Sequence, residues 1–170
     1  MDLSPLDRFQ DKTTFLDNLE KRVFETEVEC HGCSQVIVHC FLDVLDLDNN
    51  DLIRAASPFA AGMSLTGHNC GALIGSLMVL GLVFGREEVH QGMPGLLKGI
   101  KPMRRLVRYF KERAGAVDCR AITGADLAKP DQAEAYFQAG GLDKCAGLMA
   151  DSARFAADII WDRRQAQKTA

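Results

Sequence analysis

The stretch CGALIGSLMVLGLVF, residues 70–84, is the longest apolar run in the chain and decides the fold. It carries no charged residue and is 15 residues long, whereas a membrane-spanning helix needs about 20. The run therefore predicts a buried central helix and not a membrane anchor. Gly71 and Gly75 within it would let a neighbouring backbone approach closely.

Helical periodicity extends from this centre in both directions. Each segment places apolar residues on one stripe and polar residues opposite, and glycine or proline separates the segments. Gly85 is predicted to end the central helix, and Gly92 to Gly95 is predicted to break the short segment that follows. One predicted helix starts from a cap at Asn50 or Asp51, bends at Pro58 and ends near residue 61. The other predicted helices cover residues 13–27, 33–45, 70–84, 102–113, 119–124, 130–138 and 143–164.

No segment shows the alternating pattern of a β-strand, and no internal repeat is present. The fold class is therefore predicted to be all-α, with one compact multi-helix domain over residues 1–170 around the central apolar helix. A chain of 170 residues buries enough surface to fold without disulfides.

Charge and the N-terminus limit the function classes. The net charge is −3, which argues against a nucleic-acid-coating protein. Residues 1–12 are polar and lack the apolar core of a secretory signal, so we expect a cytoplasmic protein without a membrane segment. In a reducing compartment, six cysteines indicate metal binding or redox chemistry more than structural disulfides.

Four of the six cysteines fall in the first turn of a predicted helix. The unpaired N–H groups and the positive dipole end there favour a thiolate over a thiol. The thiolate is the form that ligates metals and attacks disulfides. The placement therefore favours one shared site made of Cys33, Cys70, Cys119 and Cys145 over four independent buried cysteines.

Two further cysteines have other contexts. Cys30 gives the C-x-x-C spacing Cys30-His31-Gly32-Cys33, which can form a redox disulfide or supply two metal ligands. Ser34 follows Cys33, so covalent c-type haem attachment is excluded. Cys40 shares the apolar face of its helix and is interpreted as core. Cys30, His31 and His68 are possible auxiliary groups beside the site.

The chain resembles the C_GCAxxG_C_C family of redox-active proteins from about Glu29 to Trp161. The residues that carry the resemblance are Cys33-Ser34-Gln35-Val36-Ile37, Ala61-Gly62-Met63 with Cys70 through Gly81, Val117-Asp118-Cys119-Arg120 and Lys144-Cys145-Ala146-Gly147. The resemblance implies a helical fold and a redox role, and it selects the same four cysteines. A related domain in split-Soret cytochromes implies an iron–sulfur centre.

Three hypotheses follow for the site. The first is an iron–sulfur cluster of the [2Fe–2S] type that is held by the four cysteines and serves electron transfer. The second is a metal-free thiol–disulfide switch or oxidoreductase that uses Cys30 and Cys33. The third is a structural zinc site in an interaction module. Whether the protein is an enzyme stays open among them.

A basic segment bears on partners. It could dock an acidic redox partner through electrostatic steering, although a solvated helix face is the simpler interpretation. We expect an unidentified redox partner, with no nucleic acid and no membrane, and a homodimer stays open. The basic residues are Lys98, Lys101, Arg104, Arg105, Arg108, Lys111 and Arg113.

Overall fold

The computed structural model describes residues 1–169, and helices form most of it. No β-strand occurs within that range, where the one isolated bridge pairs Asn69 with Asp118. The all-α prediction is confirmed. The helices are α1 (Lys12–Cys30), α2 (Cys33–Val44), α3 (Asn50–Ala56), α4 (Gly71–Phe84), α5 (Gly92–Ala114), α6 (Cys119–Thr123), α7 (Pro130–Gln138) and α8 (Gly141–Lys168).

The apolar run forms α4, which lies at the centre and packs against α2, α5 and α8, while α1 packs along α8. Gly75 permits the close approach of α2, since a Cβ there would lie 2.8 Å from the Ser34 carbonyl oxygen. The hydroxyls of Ser76 and Ser152, 2.9 Å apart, join α4 to α8 inside the core. The predicted central helix and its glycine contact are therefore both present.

Several helix boundaries differ from the sequence prediction. The cap of α3 is Asn49, whose side chain accepts the Leu52 N–H, so the predicted cap at Asn50 or Asp51 is wrong by one or two residues. This helix ends at Ala56, and Pro58 lies in the 3₁₀ turn Ser57–Phe59, where its ring prevents the helix from continuing to residue 61.

The break predicted at Gly92–Gly95 is also wrong. These residues form the first turn of α5, which continues through Pro102 to Ala114. Proline removes one helical hydrogen bond and frees the carbonyl four residues earlier. That residue, Lys98, is exposed, so water can reach the freed carbonyl.

No helix in residues 1–169 combines the length and the apolar character needed to cross a membrane.

Candidate cysteine site

Four cysteines line one cavity of about 320 Å³, and we call them the cavity cysteines: Cys33, Cys70, Cys119 and Cys145. They come from four separate elements. Cys33 and Cys119 are the first residues of α2 and α6, and Cys70 directly precedes α4. Cys145 is the fifth residue of α8, because that helix begins at Gly141 and not near residue 143. The prediction that Cys145 lies in a first turn is therefore wrong.

A short antiparallel pairing places Cys70 beside Cys119. The Cys70 N–H donates to the Val117 carbonyl at 2.8 Å, and the Cys119 N–H donates to the His68 carbonyl at 2.7 Å. Cys70 and Cys119 therefore stand next to each other where two helices begin. The contact joins residues about fifty positions apart in the chain, so it depends on the tertiary fold.

Two glycines make room for cavity cysteines. A Cβ on Gly71 would lie 2.1 Å from the Cys33 sulfur, and a Cβ on Gly62 would lie 2.7 Å from the Cys119 Cβ. Gly62 also has a φ of 75°, in the left-handed region that favours glycine. A side chain at either position would displace the neighbouring cysteine.

The turn around Gly62 is strained. Residues 61–65 all have left-handed φ values between 49° and 75°, and four of them, Ala61, Met63, Ser64 and Leu65, are not glycine. Left-handed helical backbone costs such residues about 1–2 kcal/mol each. The Ala61 N–H of this turn lies near the Cys33 sulfur and acts to lower the pKa of that thiol. Strain of this kind concentrates at functional sites.

Burial sets the protonation of the cavity cysteines. It raises the pKa of Cys33 to about 11, of Cys119 to about 11 and of Cys70 to about 12, and it raises the pKa of Cys145 as well. The negative charge of neighbouring thiolates adds to the effect. The thiolate preference predicted from helix starts is therefore wrong for the metal-free protein, because desolvation outweighs the helix dipole.

Two cavity residues, Glu27 and Tyr136, were missed by the sequence reasoning. Glu27 is 6 % exposed, and its carboxylate accepts the Gly32 N–H at 2.9 Å. Its position four residues after Val23, on the apolar stripe of α1, is the signal that could have found it. The Tyr136 hydroxyl lies 3.4 Å from the Cys145 sulfur, and nothing in the sequence marks it.

The auxiliary residues divide between the cavity and the rest of the protein. His31 lines the cavity, whereas Cys30 and the His68 side chain do not. Cys30 is exposed, and His68 contributes its carbonyl to the pairing described above. Cys40 is fully buried in the core, which confirms its interpretation.

We expect Glu27→Gln to improve stability at neutral pH in the metal-free protein. Burial raises the pKa of Glu27 above its ordinary 4.5, so the stability it contributes is complete below that value and is lost as pH rises through the raised pKa. Glutamine keeps an acceptor for the Gly32 N–H and carries no charge. Urea unfolding between pH 4.5 and about pH 8 should show a smaller loss of stability in Glu27→Gln than in the wild type.

The exposed Glu29→Gln is the matched control, and it should follow the wild type at every pH. Parallel pH profiles for Glu27→Gln and the wild type would contradict the role assigned to burial.

Within residues 1–169, no three His, Cys, Asp or Glu side chains stand close enough together to hold a single metal ion. No curated protein and no solved structure matches the chain. The family model described as "Putative redox-active protein (C_GCAxxG_C_C)" matches residues 31–159, which is most of the chain and includes the four cavity cysteines. The chain therefore belongs to the C_GCAxxG_C_C family of redox-active proteins.

Proposed function

We propose that the four cavity cysteines bind an iron–sulfur cluster of the [2Fe–2S] type and that the protein carries electrons. The observation that supports this most is the gathering of four thiols around one largely apolar cavity, where burial keeps them protonated in the absence of a cation. Four thiolates are the usual ligand set of such clusters.

The chemistry of the donor set fits the cluster. A buried thiol with a raised pKa becomes a thiolate at neutral pH only when a positive charge compensates it, and a coordinating metal removes the proton outright. A single zinc ion binds sulfur at about 2.3 Å and needs no cavity of this size. The 320 Å³ volume favours a polynuclear group over one ion.

The chain's own N–H groups prepare the sulfur atoms for negative charge. The backbone N–H groups of Ala61 and Ser34 lie near the Cys33 sulfur, and that of Ala72 lies near the Cys70 sulfur, where each acts to lower the pKa of its thiol. Their partial positive charge lowers the energy of the thiolate forms. When bound, the cluster would supply a one-electron couple, with hydrogen bonds to sulfur and burial setting its potential.

A metal-free disulfide between Cys30 and Cys33 is less well supported. Cys30 is exposed and lies outside the cavity, whereas Cys33 has a pKa of about 11. A thiol with so high a pKa supplies little thiolate for exchange at neutral pH. The zinc alternative uses the same four cysteines, but they would have to move closer together, because no three candidate ligands in residues 1–169 stand close enough to hold one ion.

The test is metal and sulfide analysis, with a visible spectrum, of protein purified without oxygen. The proposal expects iron and acid-labile sulfide in equal amounts and visible sulfur-to-iron absorption bands. Zinc without sulfide would establish the structural alternative. A colourless, metal-free protein would overturn the cluster and favour the thiol switch.

A further inference from the structure

We propose that the Tyr136 hydroxyl donates a hydrogen bond to the Cys145 sulfur and raises the reduction potential of the redox centre. The inference rests on the proposed function, because it concerns the cluster that Cys145 would help to hold. Tyr136 lies on α7, and its hydroxyl oxygen is 3.4 Å from the Cys145 sulfur on α8. Both residues line the cavity.

Packing fixes the position of the Tyr136 ring. A Cβ on Gly141 would lie 2.3 Å from Cε1 and 2.6 Å from Cζ of the ring, so the ring lies directly against the Gly141 backbone. Gly141 is buried, and it is the first residue of α8. Gly140, with a φ of 78°, turns the chain between α7 and α8. The ring is thus held where α8 starts, one turn from Cys145.

The direction of the hydrogen bond follows from protonation. A tyrosine phenol has an ordinary pKa of about 10, so it keeps its proton at neutral pH. A metal-bound thiolate has no proton to give and can only accept. Tyr136 is therefore the donor, and Tyr136 is a positioning residue that acts through the sulfur.

Reduction adds one negative charge to the centre, and part of that charge lies on the ligand sulfurs. A donor aimed at the sulfur stabilises the reduced state more than the oxidised state, because hydrogen bonds to charged acceptors are the stronger ones. Its effect is to raise the potential. Removing the hydroxyl while keeping the ring should lower the reduction potential.

Tyr136→Phe tests this with a matched control in the same chain. Tyr109 is the other tyrosine, and it does not line the cavity. Its ring stacks on Phe155 with 4.0 Å between centroids. Tyr109→Phe therefore removes the same hydroxyl group at a position outside the cavity. Anaerobic redox titration should show the potential of Tyr136→Phe lowered by about 59 mV, which is a tenfold change in the oxidised-to-reduced ratio of a one-electron couple. Tyr109→Phe should match the wild type, with equal iron in all three proteins.

A second variant strengthens the donor instead of removing it. Incorporating 3-fluorotyrosine in the Tyr109→Phe background modifies Tyr136 alone, and its more acidic phenol should raise the potential. If iron is bound but neither change shifts the potential, the role of Tyr136 is wrong and the cluster stands. If no preparation contains iron and sulfide, the proposed function is wrong and this inference falls with it.

Discussion

Replacing any one of the four cavity cysteines with alanine is expected to remove most of the bound iron. Each of these side chains faces the same cavity, so each variant leaves three thiols and one open position. Changing a residue that only supports a ligand commonly weakens metal binding by about 10–100-fold, so loss of a ligand should weaken it at least as much. The measurement is iron and sulfide per chain after anaerobic purification and desalting. The variants are Cys33→Ala, Cys70→Ala, Cys119→Ala and Cys145→Ala.

The chain supplies its own controls in Cys30 and Cys40. Cys30 is exposed and outside the cavity, and Cys40 is buried in the core with its sulfur 3.8 Å from the Thr26 hydroxyl. Cys30→Ala and Cys40→Ala should both retain iron at the wild-type level.

The pattern across the six variants separates the hypotheses. Loss of iron in Cys30→Ala would show that the C-x-x-C pair supplies ligands. Retention of iron in any cavity variant would remove that cysteine from the ligand set. A thiol switch based on Cys30 and Cys33 instead expects the Cys30→Ala protein to lose its redox response.

The helices that the sequence predicted best are those whose ends are set by residues nearby in the chain. The bounds of α7 follow from Pro130 at its first position, and α6 stops at Gly124, whose φ of 70° ends the helix. The first part of α5, residues 92–101, was missed because glycine and proline usually break helices, whereas Gly99 here packs against the Phe84 carbonyl region. That contact belongs to the tertiary fold and leaves no local pattern.

The candidate site was likewise predictable where a local signal exists and not where it depends on the tertiary fold. The four cysteines could be chosen from the sequence because helix starts and the family motif agreed on them. Their meeting depends on the pairing of His68 with Cys119, which no short-range pattern encodes. The thiolate preference was predicted wrongly because a helix start acts locally, whereas desolvation depends on everything packed around the sulfur. Tyr136 reaches Cys145 only through the packing of α7 on α8.

Gly71→Ala is expected to damage both the fold and the site. Its Cβ would stand 2.1 Å from the Cys33 sulfur and 3.0 Å from the Phe59 carbonyl oxygen, so the cysteine or the start of α4 must move. Overpacking of this kind costs about 1–3 kcal/mol, and the backbone atom leaves little room for relaxation. The moved sulfur would also leave the Ala61 N–H, which favours its thiolate form. Less iron per chain and a lower urea midpoint are the two readouts.

Gly81→Ala makes the same substitution in the same helix without the contact. No atom outside the helix lies within 4 Å of the Cβ it would add. Alanine favours helix over glycine by about 1 kcal/mol, so this variant should unfold at a higher urea concentration than the wild type and keep its iron. Gly71→Ala and Gly81→Ala therefore move stability in opposite directions. If Gly71→Ala kept both iron and stability, the sulfur of Cys33 would not rest on Gly71, and the cavity would not need this glycine to place its first ligand.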